Sequence, residues 1–152
     1  MFYSRKSPRI AGYDYSSYNY YFITICTYEK RCIFGLPEQL NKIGNVVKEC
    51  IQKIEKIFPG ARVDNYIVMP NHIHIILVNG GNEDINMIIG QLKAAATKQI
   101  RMIYPEMRVW QRSYHDHIIR NQQEYEKIWQ YVTYNNQKWQ EDCFYQSIRE
   151  GQ

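Results

Sequence analysis

Residues 63 to 78 constrain the fold of this chain more than any other stretch. Val63 to Met69 and His72 to Val78 are two runs rich in β-branched residues, which predicts two strands. Only Pro70-Asn71 lies between them, a dipeptide suited to a tight turn or a kink between paired strands. A third strand is predicted over Tyr20 to Tyr28 (YYFITICTY), apolar on both faces and so central in a sheet.

Helical spacing fills the gaps between strands. Leu40, Ile43, Val46, Val47, Cys50, Ile51, Ile54 and Ile57 predict an amphipathic helix from about residue 40 to Phe58, stopped by Pro59-Gly60. Ile85, Ile88, Ile89, Leu92, Ala95, Ala96 and Ile100 predict a second. Val109 to Ile119 reads as a short extended segment. Asn121, with Glu124 three residues later, reads as the N-cap of a last helix over residues 121–136, buried along Tyr125, Ile128, Trp129 and Val132. Residues 1–19 read as an arm or loop. This order predicts an α+β domain: an antiparallel sheet with helices packed on one face and the other face free for a substrate.

At 152 residues the chain fits one domain spanning residues 1–152. No run of about 18 apolar residues predicts a membrane span, and the first residues lack the apolar core of a secretory signal. Cys26, Cys32, Cys50 and Cys143 are scattered, as in reduced, mostly buried thiols of a cytoplasmic protein, and their spacings do not suit a tetrahedral zinc site. The net charge of +4 is unevenly spread. Lys93, Lys98, Arg101, Arg108, Arg112 and Arg120 cluster against only Glu106 and Asp116, and Arg5, Lys6 and Arg9 stand near the start. Tyr104, Trp110 and Tyr114 are interleaved, a pattern that suits either a polyanion with bases to stack or a solvated basic surface.

The chain has four histidines, in two pairs. His72 and His74 share one face of a predicted strand while Ile73 and Ile75 enter the other. Two such imidazoles either converge on one cation, given a third ligand from elsewhere, or are hydrogen-bonded core residues. In His115-Asp116-His117 the middle residue is charged, so this pair reads as a support site or nucleic-acid contact, and Asp116 as unlike the buried Ile73.

Four ordered blocks carry a resemblance: Gly12-Tyr13-Asp14-Tyr15 leading into Phe22–Thr27; Met69-Pro-Asn-His-Ile-His74; Trp110-Gln111 through Tyr114-His-Asp-His-Ile-Ile-Arg120; and Tyr131 through Asn135 to Trp139. Together they resemble the HUH endonuclease superfamily and, within it, the REP-associated tyrosine transposases of the IS200-like group. The resemblance implies a ferredoxin- or RRM-like fold. It implies cleavage of single-stranded DNA near a hairpin by a tyrosine, giving a 5′-phosphotyrosine and a free 3′-OH. It also implies a divalent cation, Mg²⁺ or Mn²⁺, held by His72, His74 and Asn135. Tyr131 fits the nucleophile, with Asn135 four residues on along the same helix face; Tyr134 is the runner-up, and Tyr125 reads as core. The family's Asn-Pro is here Asn135-Asn136, which leaves the helix end looser.

Within that resemblance Arg5, Lys6, Arg9, Arg112 and Arg120 would hold phosphates, positioning DNA without specifying sequence. Asp116 and His117 would support the site. A phenol of ordinary pKa (~10) is a weak nucleophile near neutrality, so the reaction needs charge stabilisation at the phosphate. Either a monomer or a homodimer exchanging its last helix is compatible with this reading. The alternative function is a binding protein for structured single-stranded DNA that no longer cuts. A third reading, a metal-dependent phosphodiesterase using water, would cut without a covalent adduct.

Overall fold

The computed structural model describes residues 4–6 (backbone path only), 19–80 and 83–135. In chain order the elements are β1 (Ser4–Lys6), β2 (Asn19–Cys26), a small hairpin of β3 (Gly35–Leu36) and β4 (Gln39–Leu40), α1 (Lys42–Gln52), α2 (Ile54–Ile57), β5 (Ala61–Met69), β6 (His72–Asn79), α3 (Ile85–Arg101), β7 (His115–Ile119) and α4 (Gln122–Thr133). Five strands form one antiparallel sheet in the order β1-β7-β2-β6-β5. The succession β2-α1-β5-β6-α3-β7 is the βαββαβ plan of ferredoxin-like folds, so the α+β expectation holds. Pro70-Asn71 is a tight turn, with Met69 directly opposite His72.

Alternation along β6 sorts two environments. Ile73, Ile75 and Leu77 join Tyr21, Ile23 and Ile25 of β2 in the main core, closed by Val47 and Ile51 of α1 and Ile88, Leu92 and Ala96 of α3. His72, His74 and Ile76 point to the second face. Directly opposed strand residues share a face; Thr24 opposes both His74 and His115, Cys26 opposes His72, and Phe22 opposes His117. All four histidines therefore lie on the second face.

That face is not left wholly free. α4 crosses it, burying Ile128 and Val132 against Ile76 and Ile119, which corrects the expectation that helices pack on one face alone. An amphipathic helix must cover its apolar stripe, and the main core is already closed by α1 and α3. The stripe is narrower than predicted: Tyr125 is half-buried, and Trp129 is 38% exposed. Asn121 does cap α4, its side chain accepting from the Glu124 N–H, and Glu124 in turn accepts from the Arg120 N–H.

A bulge in β5 ties α4 down. The register with β6 shifts between Val63 and Asn65, leaving Asp64 as the extra residue. Its carboxylate accepts the Tyr125 hydroxyl proton at 2.6 Å and pairs with Arg62. Burial raises the Asp64 pKa, but the bonds from Arg62 and Tyr125 and the Arg62 charge outweigh it and hold the carboxyl below its ordinary value. At the other end of the helix, Asn65 Nδ2 donates to Thr133 Oγ1 at 2.9 Å.

Three further boundaries differ from expectation. Part of the predicted arm is strand, because Ser4–Lys6 pairs with the edge of β7 and Asn19 already belongs to β2. The predicted long helix starts later, Leu40 lying in β4 and Asn41 capping α1, and it divides at Lys53, whose N–H is shared between the Glu49 and Cys50 carbonyls. The last helix stops at Thr133, with Tyr134 as its C-cap, and Asn136 is outside the described residues. Cys26 and Cys50 are buried but Cys32 is exposed, and Cys143 lies outside the described residues. Among the described residues, no helix is long and apolar enough to cross a membrane.

Ile128 is 3% exposed, whereas Trp129 beside it is half open to solvent. Ile128→Ala is expected to cost about 2–4 kcal/mol, and Trp129→Ala distinctly less. Urea unfolding of the two variants checks this ordering.

Candidate active site

His72 and His74 are buried with ring centroids 4.7 Å apart. Each ring is oriented through Nδ1. His72 Nδ1 lies 2.9 Å from Asn71 Oδ1, while Asn71 Nδ2 donates to the Lys30 carbonyl. That second bond fixes the amide with its oxygen toward the ring, so His72 donates from Nδ1 and carries its lone pair on Nε2. His74 Nδ1 lies 2.9 Å from Thr24 Oγ1, its cross-strand neighbour. The Nε2 atoms of both rings are buried, and that of His74 has no hydrogen-bond partner. Burial first, and the repulsion two protonated rings would feel so close to His72 second, hold the His74 pKa well below the ordinary 6.5. His74 is thus a neutral imidazole.

α4 brings the tyrosine. The Tyr131 ring stands edge-on to His74 at 5.4 Å and perpendicular to Phe22 at 6.2 Å, and Phe22 stacks on His74 at 5.1 Å. Tyr131 is 38% exposed, so it is reachable from solvent although its ring is braced. Tyr134 is half exposed, and among the described residues its ring makes no contact with either histidine. Asn135 follows just past the helix end, 1% exposed, its Oδ1 buried and lacking a hydrogen-bond partner. A buried amide oxygen left so is costly unless something else satisfies it. Tyr125 lies apart, tied to Asp64.

The second histidine pair differs from expectation. Asp116 is 4% exposed, although its charge argued against burial. Strand alternation turns it to the core face, opposite Ile23 on one side and Arg5 of β1 on the other. His117, also buried, has Nε2 3.4 Å from Glu124 Oε1 on the first turn of α4. His117 thus lies between the edge strand and the start of α4.

The basic residues fall in separate places. Arg120 lines a cavity of about 380 Å³ with Tyr20, Arg62 and Tyr125, at the start of α4. Arg112 is exposed on a different groove beside α3. Arg5 and Lys6 lie on β1, and Arg9 is outside the described residues. Sequence reasoning missed the roles of Thr24, Asn71 and Phe22 around the histidine rings. Asn71 adjoins His72 in sequence and was open to suspicion; Thr24 and Phe22 become visible only once the β2–β6 register is known.

A family model described as "Transposase IS200 like" matches residues 14–135. The chain belongs to the IS200-like transposase family. It is 35% identical over 167 residues to an uncharacterized protein of Haemophilus influenzae (strain ATCC 51907 / DSM 11121 / KW20 / Rd), covering 93% of each chain. A second protein of the same strain, whose name places it with the REP-associated tyrosine transposases, is 26% identical over 133 residues, covering 80% of this chain and 72% of its own. The solved structure of a REP-associated tyrosine transposase bound to a REP hairpin superposes with a TM-score of 0.63 at 19% identity, covering 87% of this chain and 74% of that one. This last likeness is one of fold. It agrees with the antiparallel sheet and flanking helices described above.

The neutral state of His74 in this IS200-like transposase has a consequence for stability. The unfolded chain takes up a proton at this residue near pH 6.5 and the folded chain resists it. Falling pH therefore favours unfolding from about 6.5 downward, by up to ~1.4 kcal/mol per pH unit. With chelator present, the urea midpoint is expected to fall more between about pH 7 and about pH 5.5 for the wild type than for His74→Gln.

Proposed function

We propose that the protein cuts and rejoins single-stranded DNA beside a hairpin, with Tyr131 as nucleophile. One observation carries this reading: on a strand-and-helix frame of the transposase family, a solvent-reachable tyrosine stands 5.4 Å from a buried histidine whose outer nitrogen lacks a partner. In the step, Tyr131 Oη bonds to phosphorus as its proton leaves, the P–O3′ bond breaks, and the strand departs with a 3′-OH. The 5′-phosphotyrosine keeps the phosphodiester bond count unchanged. Attack by a 3′-OH reverses the step, so joining needs no nucleotide hydrolysis.

The donor set fits a divalent cation. Among the described residues no three His, Cys, Asp or Glu side chains cluster to hold a metal. An amide would supply the third donor: His72 Nε2, His74 Nε2 and Asn135 Oδ1 are all buried polar atoms. Mg²⁺ or Mn²⁺ bound there would act as a Lewis acid on the phosphate, at full charge because the three protein donors are neutral. Two imidazoles favour the later ion, so Mn²⁺ fits better than Mg²⁺.

The protein's own groups do the rest. Phe22 and His74 brace the tyrosine ring, and the Asp64 and Asn65 contacts at the two ends of α4 hold its aim. Asp116 and His117 support the edge strand and helix start. Arg112 and Arg120, with Arg5, Lys6 and Arg9 of the N-terminal segment, hold phosphates. The hairpin partner is supported by the structural relative, which is bound to one.

Tyr131→Phe is expected to abolish the covalent protein–DNA band on a single-stranded hairpin substrate with Mn²⁺, leaving hairpin binding intact. An adduct that persists overturns the choice of Tyr131 and moves the test to Tyr134. Cleavage without any adduct in the wild type selects the water-using phosphodiesterase, and no cleavage selects the non-cutting binder. His74→Ala should abolish divalent-dependent cleavage. Asn71→Ala, which frees the His72 ring, is expected to weaken Mn²⁺ binding about 10–100-fold by calorimetry.

A further inference from the structure

We infer that His115 is the general acid that protonates the leaving 3′ oxygen, and the general base that takes the proton of the attacking 3′-OH when the strand is rejoined. This rests on the reading of Tyr131 as a nucleophile on single-stranded DNA and supplies the other half of that reaction's proton balance.

The sheet register places the residue. Thr24 of β2 stands opposite His74 of β6 on one side and opposite His115 of β7 on the other, so the three share one row across the second face. Two inter-strand spacings, about 10 Å, separate the backbones of the two histidines. Between them is the short Thr24 side chain, its Oγ1 2.9 Å from His74 Nδ1. The row is therefore low in the middle, with an imidazole to either side.

The direction of attack decides which imidazole meets the leaving group. α4 is tied to β5 at Asp64 and Asn65, and Tyr131 reaches from it to rest against Phe22 and His74. The tyrosine thus comes from the β5–β6 side. In-line displacement puts the departing oxygen on the far side of phosphorus from the nucleophile. For a phosphate over Thr24, that far side is β7 and His115.

Burial separates His115 from the other histidines. His72 and His74 are buried, with Nδ1 held against Asn71 and Thr24. His117, two residues along on the same face, is 3% exposed and has Glu124 of α4 at 3.4 Å. His115 lies past that cover and is only half-buried, within reach of a strand. The charged and titratable residues around its position are His74 beyond Thr24, Lys6 paired with it on β1, His117 with Glu124 along the strand, and Tyr131. An imidazole gives or takes a proton near neutrality, as a reversible cut requires.

The balance is as follows. Tyr131 Oη bonds to phosphorus and its proton passes to water; the P–O3′ bond breaks, and the His115 imidazolium gives its proton to O3′. A 3′-OH and a neutral ring result. In rejoining, neutral His115 takes the 3′-OH proton as O3′ bonds to phosphorus, the P–Oη bond breaks, and the phenolate regains a proton from water.

The test is the single-turnover rate of adduct formation with Mn²⁺ on two hairpin substrates, one natural and one with sulfur replacing O3′ at the position where the natural one is cut. A thiolate departs without a proton, so the sulfur substrate does not need the acid. His115→Gln is expected to slow the oxygen substrate about 100-fold or more and to leave the sulfur substrate at the wild-type rate. Equal slowing on both would make His115 a structural residue, and wild-type rates on both would give it no part; either result overturns the assignment. A second measurement needs no substitution. In the wild type, the ratio of oxygen to sulfur rates should fall between about pH 6 and about pH 8 as the acid loses its proton, and parallel profiles would count against it. If the wild type forms no adduct on either substrate, the tyrosine mechanism falls and the acid with it; a wild-type adduct that His115→Gln forms equally fast removes His115 alone.

Discussion

The period-two alternation of β6, pinned on both sides by β2 and β5, is the constraint from which the rest follows. One strand face is Ile73, Ile75 and Leu77, and the other is His72, His74 and Ile76. A register slip of one residue would drive the imidazoles into the main core and expose the isoleucines, exchanging every environment at once. The apolar burial that stabilises the sheet therefore also fixes the histidine positions. The bulge at Asp64 serves the same end. It lets Val63 and Tyr66 both face the main core, and leaves Asn65 and Ile67 for the α4 side.

Around that strand the neighbouring elements supply orientation. Asn71 belongs to the turn that makes the hairpin, so one residue both helps to reverse the chain and sets the tautomer of His72. Thr24 comes from the strand opposite and engages His74 because the register places them side by side. α4 is held by hydrogen bonds at each end and by Ile128 and Val132 between, so Tyr131 is carried on a braced helix while its own ring stays half open. Rigid backbone with a reachable side chain is what an in-line attack on a phosphodiester requires.

Much of this was legible in the sequence, for reasons that are local. The hairpin at Pro70-Asn71, the shared face of His72 and His74, the Asn121 cap and the periodicity of α3 all follow from residues close together along the chain. What escaped depends on partners far away. β1 is a strand only because β7 lends it an edge, and Asp116 is buried because alternation within a paired strand outranks the preference of a lone carboxylate. The narrow stripe of α4 was misread at Trp129 because its width depends on which face of the sheet remains uncovered. The choice between Tyr131 and Tyr134 rested on resemblance and the i, i+4 spacing; the ring contacts with His74 and Phe22 are tertiary.

The distribution of charge makes physical sense of the two-sided layout. A net charge of +4 is small, yet five cations line one groove while the histidine pocket is built from neutral donors. Had the basic side chains stood beside His72 and His74, they would have made the pocket repel positive charge at short range. Placing them around the end of the sheet keeps two environments apart, exposed positive charge on one side and a buried histidine pocket on the other. Salt screens the first strongly and the buried second much less. Trp110 bridges to Thr27, the neighbour of Cys26, which opposes His72, so the end of β2 is the physical link between the basic groove and the histidine pocket.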